Sequence, residues 1–493
     1  MGNWMGALAL HYDAVRRRYP DETLMILFDI DGTIVDMRYL IMRVLQDYDL
    51  EHGTGYFQSL DVAGITVHEN DVGTLLDEIK VPSETQPAVL KWWADRRWGI
   101  RAMMEYHTPM DGVFEIIRWL DLQPGLVIGL NTGRPEFLRA DTLRSLNRIG
   151  EECGVHFESE LLHMNPGGWE DGVPASKVDG VRKFQREGYR VIAMVDNEPA
   201  NLAAVHEMAG CEEILPLHAH TIFESECGEL PACSPSGSHY VLADLAREED
   251  LPENIQFVWH GINDDANLRQ FVSSAVEWGE VDVRTDPHTG TPVLGHDELA
   301  PHDASEDGRF LTLDVAVERL NRFEKSIKFD FKEGGALVDR VVEIVNGEGI
   351  GADRVWFNGT VEILDNAGFR KLRKTFPAAI IQTPIDSLAE QIMSEPAATL
   401  AELKRLRATG VNRFSIEWAV PGVAEVVKRI GEWGFDVNIY NVPDLDGFLR
   451  AVLLKPRSIT ADFNFPTWHY YGRGSGKGGR YYEYTADETR ESA

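Results

Sequence analysis

Two pairs of carboxylates in strand-like surroundings carry most of the chemistry that this sequence offers. In LMILFDIDGTIVD an apolar run ends on Asp29, and Asp31 follows two residues later, ahead of a Gly-Thr turn. Carboxylates spaced in this way at the C-terminal end of a strand can both face the crevice where α/β sheets bind ligands, once the chain leaves strand geometry. One can then attack phosphorus while the other manages the leaving-group proton. In GEVDVRT, Glu280 and Asp282 are again two apart and share one face of a strand. Inside a barrel that placement is costly unless a cation joins them. Asn263 and Asp330 add hard oxygens of the kind that Mg²⁺ and Ca²⁺ take, and His260 and His296 could act as general base and general acid on opposite sides of a phosphodiester.

These residues need elements to hold them. From Leu24 to about Pro216, short apolar runs (LMILFDI, GLVIGLNTG, RVIAMVDN) alternate with amphipathic stretches, the rhythm of a parallel sheet with crossover helices. The stretch 37–108 is helical in pattern, with LIMRVLQDYDL and VLKWWADRRWGIRAMMEY, and reads as a cap inserted between the first two strands. Composition shifts over 224–254, which predicts a boundary near Leu245. A second series of strand-like runs follows, from IQFVWHG to SITADFN, and roughly eight βα units are what a (β/α)₈ barrel requires. The tail, 469–493, is rich in Gly, Tyr and charge and is expected to be mobile.

The first half resembles the haloacid dehalogenase superfamily, whose first motif is an apolar strand ending in DxDGT. The resemblance implies that Asp29 is a nucleophile that becomes transiently phosphorylated. It further implies that Thr132, in GLVIGLNTGRP, binds the phosphoryl group and that Lys177, in ASKVDG, holds the transition-state charge. Asp196, in RVIAMVDNEPANL, would bind Mg²⁺ with Asp29 and the backbone carbonyl of Asp31. Lys183 is an alternative to Lys177. Many members carry a second acid in the fourth motif; here the chain offers Asn197, Glu198 or Asn201, of which Asn201 has the better spacing. An aspartate at position 31 favours phosphoryl transfer over dehalogenation. Any one of these pieces has a plainer explanation, because acidic residues end many strands as turn or N-cap residues. Four in order across about 170 residues are harder to explain that way.

The second half resembles the phospholipase-C-like phosphodiesterases, most closely the glycerophosphodiester phosphodiesterases, where an ExDV strand precedes a TxDGxPVxxHD segment. It is also similar to the related menorin family, with its H-x-x-N start (His260, Asn263) and KxDFK strand (Asp330, Lys332). SITADFNFP is similar to the diesterases' closing TDxP strand. Two departures stand out: the diesterases open with HRG where this chain has His260-Gly261-Ile262, and their third-strand ExK is here DxK. Trp418, Tyr440 and Asn441 on late strands are candidates for the pocket wall, although such residues are more often barrel core.

The expected fold is thus α/β, with an N-terminal Rossmann-like domain carrying a helical cap (1–245), a TIM barrel (246–468) and a tail. The formal charge of −32 over 493 residues disfavours nucleic acid and anionic membranes, while a bound metal leaves small phosphorylated substrates open. Four cysteines without CxxC spacing predict neither a disulfide framework nor a zinc site and suit a reducing cytosol. No apolar run reaches membrane-spanning length, so a cytoplasmic protein without membrane insertion is expected. The combined expectation is a bifunctional phosphohydrolase, with Mg²⁺ at the first site and Mg²⁺ or Ca²⁺ at the second. In the alternative, the barrel only binds a ligand.

Overall fold

Apolar runs rich in branched residues become strands with both faces covered. In the computed structural model, which describes residues 3–168, 172–210, 212–220, 229–247, 250–298, 310–461, 470–473 and 481–484, the chain divides into two compact units, Met1–Ala246 and Arg247–Ala493.

The first unit is built on β1 (Leu24–Phe28), β2 (Leu126–Pro135), β3 (Leu162–Asn165), β4 (Arg190–Asp196), β5 (Leu215–Ala219) and the short β6 (Ser236–Gly237). They form one parallel sheet in the order β3-β2-β1-β4-β5-β6. Every residue of β1 is buried, as expected of a central strand flanked by helices on both faces. Met25 and Leu27 of β1 pack with Val181 and Phe184 of the helix Val173–Arg186 and with Leu202 and Val205 of the helix Pro199–Ala209. β1 has β2 on one side and β4 on the other, so the ends of these three strands meet where the strand order reverses, the usual place for a ligand crevice.

Between β1 and β2 the chain makes a helical excursion containing Met37–His52, Val72–Glu78, Gln86–Arg96 and Ile100–Glu105. Its two ends are stitched together. The Asp36 amide donates to the Thr108 carbonyl and the Met110 amide to the Ile34 carbonyl, both at 2.8 Å. The Asp36 side chain also accepts from the Arg38 amide and so caps the first helix.

In the second unit, β7 (Gln256–Trp259), β8 (Trp278–Thr285), β10 (Ser326–Phe331), β11 (Val355–Asn358), β12 (Ile380–Pro384), β13 (Arg413–Glu417), β14 (Asp436–Val442) and β15 (Ser458–Ala461) pair in parallel and close on themselves. This is a (β/α)₈ barrel. β9 (Pro292–Leu294) folds back antiparallel onto β8, an excursion that the βα rhythm did not foretell. Val258, Trp278 and Trp356 plug the barrel at its lower level. Above them the interior turns polar, with Glu280, Lys328, Gln382, Ser415, Asn438 and Thr460 all buried.

Three expectations meet corrections or limits. Cys233 is disulfide-bonded, a bridge that the cysteine spacing did not announce. In the tail expected to be mobile, Tyr470–Arg473 pairs antiparallel with Tyr481–Tyr484; the rest of the tail, and Asp462 to Pro466 of the closing motif, lie outside the described residues. Among the described residues no helix is long and apolar enough to cross a membrane.

Gly112 starts the helix Val113–Asp121 with φ +77°, and a Cβ there would sit 2.1 Å from the Tyr240 carbonyl oxygen. The Gly112→Ala variant is expected to lose roughly 2–4 kcal/mol, read from the urea transition that reports the first unit. A loss below about 0.5 kcal/mol would mean that the backbone relaxes there without strain.

Candidate active sites

In the first unit, the helix Val173–Arg186 delivers Lys177 into the crevice. Its Nζ donates to Asp29 Oδ1 at 2.5 Å, to Asp196 Oδ2 at 2.7 Å and to the Asn131 carbonyl at 2.6 Å. The helix is itself tied to β2, because Asn131 Nδ2 donates to the Lys177 carbonyl at 2.8 Å. Lys183 instead reaches the carbonyls of Glu160 and Leu162. Thr132 is buried near the end of β2, and its Oγ1 accepts from the Arg134 amide at 3.2 Å. Burial pushes the Asp29 carboxyl up to about 8, with Asp196 and Asp31 adding to the push and Lys177 opposing it.

Arg134 is the residue that sequence reasoning missed. Fully buried, it donates from Nε to Asp31 Oδ2 at 2.7 Å and from Nη2 to Asp31 Oδ1 at 2.6 Å, and its Nη1 donates to Thr142 Oγ1 at 3.1 Å. Burial alone would raise Asp31, but Arg134 outweighs it, helped by His107 and Lys177, and holds the carboxyl below its usual range. The signal was present: Thr132 and Arg134 are two apart on β2 and therefore share a face.

The fourth-motif candidates separate. Asn201 Nδ2 donates to both Asp196 oxygens at 3.1 and 3.2 Å, so in this structure Asn201 holds the aspartate and turns its nitrogen, a poor metal donor, toward it. Glu198 faces the cap, where His68 Nε2 lies 3.2 Å from both Glu198 and Glu69. Asn197 is buried, and its Oδ1 has no hydrogen-bond partner among the described residues. The Asp29 and Asp196 carboxylates, bridged by Lys177, offer oxygen only, which fits a hard divalent cation.

In the barrel, register does the positioning. On adjacent strands Glu280 pairs with Lys328 and Asp282 with Asp330. One oxygen each from Glu280, Asp282 and Asp330 lie within 4.8 Å of one another. Lys332 Nζ is 3.0 Å from Asp282 Oδ1 and 2.5 Å from Asp330 Oδ2. Burial raises Asp330 to about 6, with Glu280 and Asp282 adding and Lys332 opposing. Burial also acts to raise Asp282, yet Lys332, His260 and the Asn263 hydrogen bond hold it well below its ordinary value. Asp282 Oδ1 and Glu280 Oε2 accept no well-directed hydrogen bond among the described residues and lie 3.0 and 2.8 Å from lysine ammonium groups, which fits a site for a hard cation.

A cavity of about 210 Å³ takes in His260, Glu280, His296, Lys328, Asp330 and Lys332, and its wall includes Tyr440 and Asn441 but not Trp418. Trp418 is tied by its amide to the Tyr440 carbonyl. Asn263, expected as a metal ligand, spends both ends of its amide on Asp282: Nδ2 donates to Oδ2 at 2.5 Å and Oδ1 accepts from the Asp282 amide at 2.9 Å. Here it positions the carboxylate. Arg284 fixes the His296 backbone through its carbonyl at 2.9 and 3.0 Å, and His296 Nδ1 lies 2.9 Å from Asp297 Oδ1. Sequence reasoning also passed over Lys328 and a relay in which Gln382 donates to Asn358 at 2.8 Å and Asn358 to Asp330 at 2.6 Å. DRVWFNG and AAIIQTPI each carry that polar residue at a strand's inward end.

No protein-family model and no curated protein matches the sequence. Among solved structures, a putative glycerophosphodiester phosphodiesterase from Galdieria sulphuraria aligns at 14% identity, over 42% of this chain and 94% of that one, with a TM-score of 0.34. A phosphodiesterase from Oleispira antarctica, in complex with the product sn-glycerol-3-phosphate, aligns at 15% over 43% and 94%, TM-score 0.34. CbbY from Rhodobacter sphaeroides, in complex with phosphate, aligns at 16% over 45% and 99%, TM-score 0.29. Likeness of this strength decides nothing about chemistry, which has to be argued from the side chains.

His107 gives the first site a measurable acid sensitivity. Ser145 Oγ–H donates to the Met103 carbonyl, so Ser145 accepts from His107 Nδ1. Burial, with Arg134 and Arg148, pushes this imidazole from an ordinary value of 6.5 down to about 3. Between those values the unfolded chain binds a proton that the folded chain refuses, so stability falls as pH drops through the window, by about 1.4 kcal/mol per pH unit. Urea midpoints from neutral to acid pH are expected to fall less steeply in His107→Asn than in the parent. Equal slopes would show that His107 titrates as an exposed imidazole does.

Proposed function

We propose that the chain is a two-site phosphohydrolase: a phosphomonoesterase in the first unit that works through an aspartyl phosphate on Asp29, and a phosphodiesterase in the barrel. The observation that carries the first assignment is the buried Lys177 ammonium, in contact with both Asp29 and Asp196. Such a group offsets charge on a phosphoryl oxygen beside the nucleophile. Asp29 attacks phosphorus as the bond to the leaving alcohol breaks, the alkoxide taking its proton from solvent; Thr132 and Lys177 hold the phosphoryl oxygens, and Asp31, kept as a carboxylate by Arg134, takes the proton of the water that then splits the aspartyl phosphate into phosphate and free Asp29. Mg²⁺, held by Asp29, Asp196 and the Asp31 carbonyl, would supply Lewis-acid charge at the same phosphoryl group.

For the barrel, the support is one cavity lined by Glu280, Asp330, Lys332, His260 and His296, with Asp282 held beside Glu280, Asp330 and Lys332. Lys332 holds a phosphoryl oxygen, while His260 and His296 act as base and acid across the diester. A divalent cation, Mg²⁺ or Ca²⁺, on the three carboxylates would add electrostatic stabilisation. A small glycerophosphodiester is the concrete candidate, by analogy. Its product, a phosphomonoester, suits the first unit, and fusion holds the two steps at high local concentration. A cytoplasmic setting belongs to the same proposal.

A second reading makes the barrel a ligand-binding module. It is favoured by Gly261, which stands at φ +68° where the diesterases have an arginine.

Phosphate release from a metabolite panel with Mg²⁺ and Ca²⁺ tests these readings. Asp29→Asn is expected to lower monoester hydrolysis by about 10³-fold or more and to leave diester cleavage intact. His260→Ala is expected to do the reverse. No turnover of any monoester would remove the first assignment; monoesterase without diesterase in the parent protein would leave the barrel as a binding module.

A further inference from the structure

Lys328 is a buried charge that the proposed chemistry does not use. It is 1% exposed, yet it borders the barrel cavity. Its Nζ lies 2.8 Å from Glu280 Oε2, donates to Thr460 Oγ1 at 3.0 Å and sits 4.9 Å from the centre of the Trp356 ring. Three strands therefore hold it, and the register places it directly beside Glu280.

At this level a barrel is ordinarily filled by branched apolar side chains. A buried ion pair here gains little for stability, since an apolar pair of similar volume is often as good or better. The lysine also does not saturate the carboxylate: Glu280 Oε2 meets the ammonium without a well-directed hydrogen bond. The ammonium thus balances the charge of Glu280 while lone pairs stay available to a second cation, which it repels at short range.

We propose that Lys328 is a built-in counter-charge of the barrel site, fixing the Glu280 carboxylate in the cavity and lowering the affinity of Glu280, Asp282 and Asp330 for a divalent cation. This rests on the reading that those three carboxylates take such a cation. Once the cation is bound, the same ammonium leaves the site net positive, as an anionic diester requires. Lys328 is a positioning residue, and its effect is legible in cation binding without any turnover.

The test is Mn²⁺ binding to the full chain, followed by electron paramagnetic resonance and calorimetry, in an Asp29→Asn, Asp196→Asn background that silences the first site. Lys328→Met is expected to bind Mn²⁺ at the barrel about tenfold tighter or more, and Lys328→Arg to stay within about threefold of the parent. Lys328→Gln keeps an N–H donor toward Glu280 and Thr460 and is expected to tighten binding as Lys328→Met does, which guards against a folding defect in the apolar variant. Unchanged or weaker binding in both neutral variants overturns the inference. If the parent and both neutral variants have no Mn²⁺ site that Glu280→Gln abolishes, the cation reading itself is wrong and the inference goes with it.

Discussion

Carboxylates buried at the C-terminal ends of parallel strands cannot stand uncompensated, and in both units a lysine from a neighbouring element answers them. Transfer of an isolated carboxylate into a protein interior costs far more than folding can spare. In the first unit Lys177 stands on a helix and reaches two aspartates on different strands. In the barrel Lys328 stands on β10 and Lys332 directly after it, beside the strand that carries Glu280 and Asp282. The strands bring the acids together, and the lysines oppose the rise that burial imposes on them.

The compensation has different geometry in the two places, and the difference bears on chemistry. Arg134 grips both oxygens of Asp31 in a planar fork, which orients the carboxylate as well as neutralising it. Lysine is a point charge with rotatable donors, so Lys177 can satisfy Asp29, Asp196 and a backbone carbonyl at once and still be redirected by a phosphoryl oxygen. Orientation falls to the arginine and adaptability to the lysines.

This explains which parts were legible in the sequence. Apolar runs that end in acids (β1, β4, β8) announce themselves, because both the burial and its exception are local, and Asp29, Asp196, Glu280 and Asp282 were visible for that reason. Partners reached across strands were not. Lys328 and Asn358 are ordinary polar residues until the register places them beside an acid; Gln382 reaches Asp330 through Asn358, and Arg134 meets Asp31 through its side chain. The short strands β3, β5 and β6 carry too little periodicity to be read, and β9 runs against the βα alternation. Asn201 and Asn263 were seen as ligands, whereas in this structure their amides bond Asp196 and Asp282: an amide offers oxygen or nitrogen, and only the neighbours decide which.

Charge arithmetic ties the two sites together. In the first, Asp29, Asp31 and Asp196 face Lys177 and Arg134; with Asp29 ionised three negative charges against two positive leave −1, while burial favours the protonated Asp29 and a sum near zero. In the barrel, Glu280, Asp282 and Asp330 face Lys328 and Lys332, again leaving −1 when all three acids are ionised. A single divalent cation takes either site to +1. A chain of formal charge −32 repels anions at long range, but its field is screened over roughly 8–10 Å at physiological salt, so what a phosphate meets at close quarters is the local sum. A lysine and an arginine at the first site, and two lysines in the barrel, would make that sum positive once a divalent cation is bound. The sign of that local sum is set by the number of buried lysines and arginines and not by the overall charge.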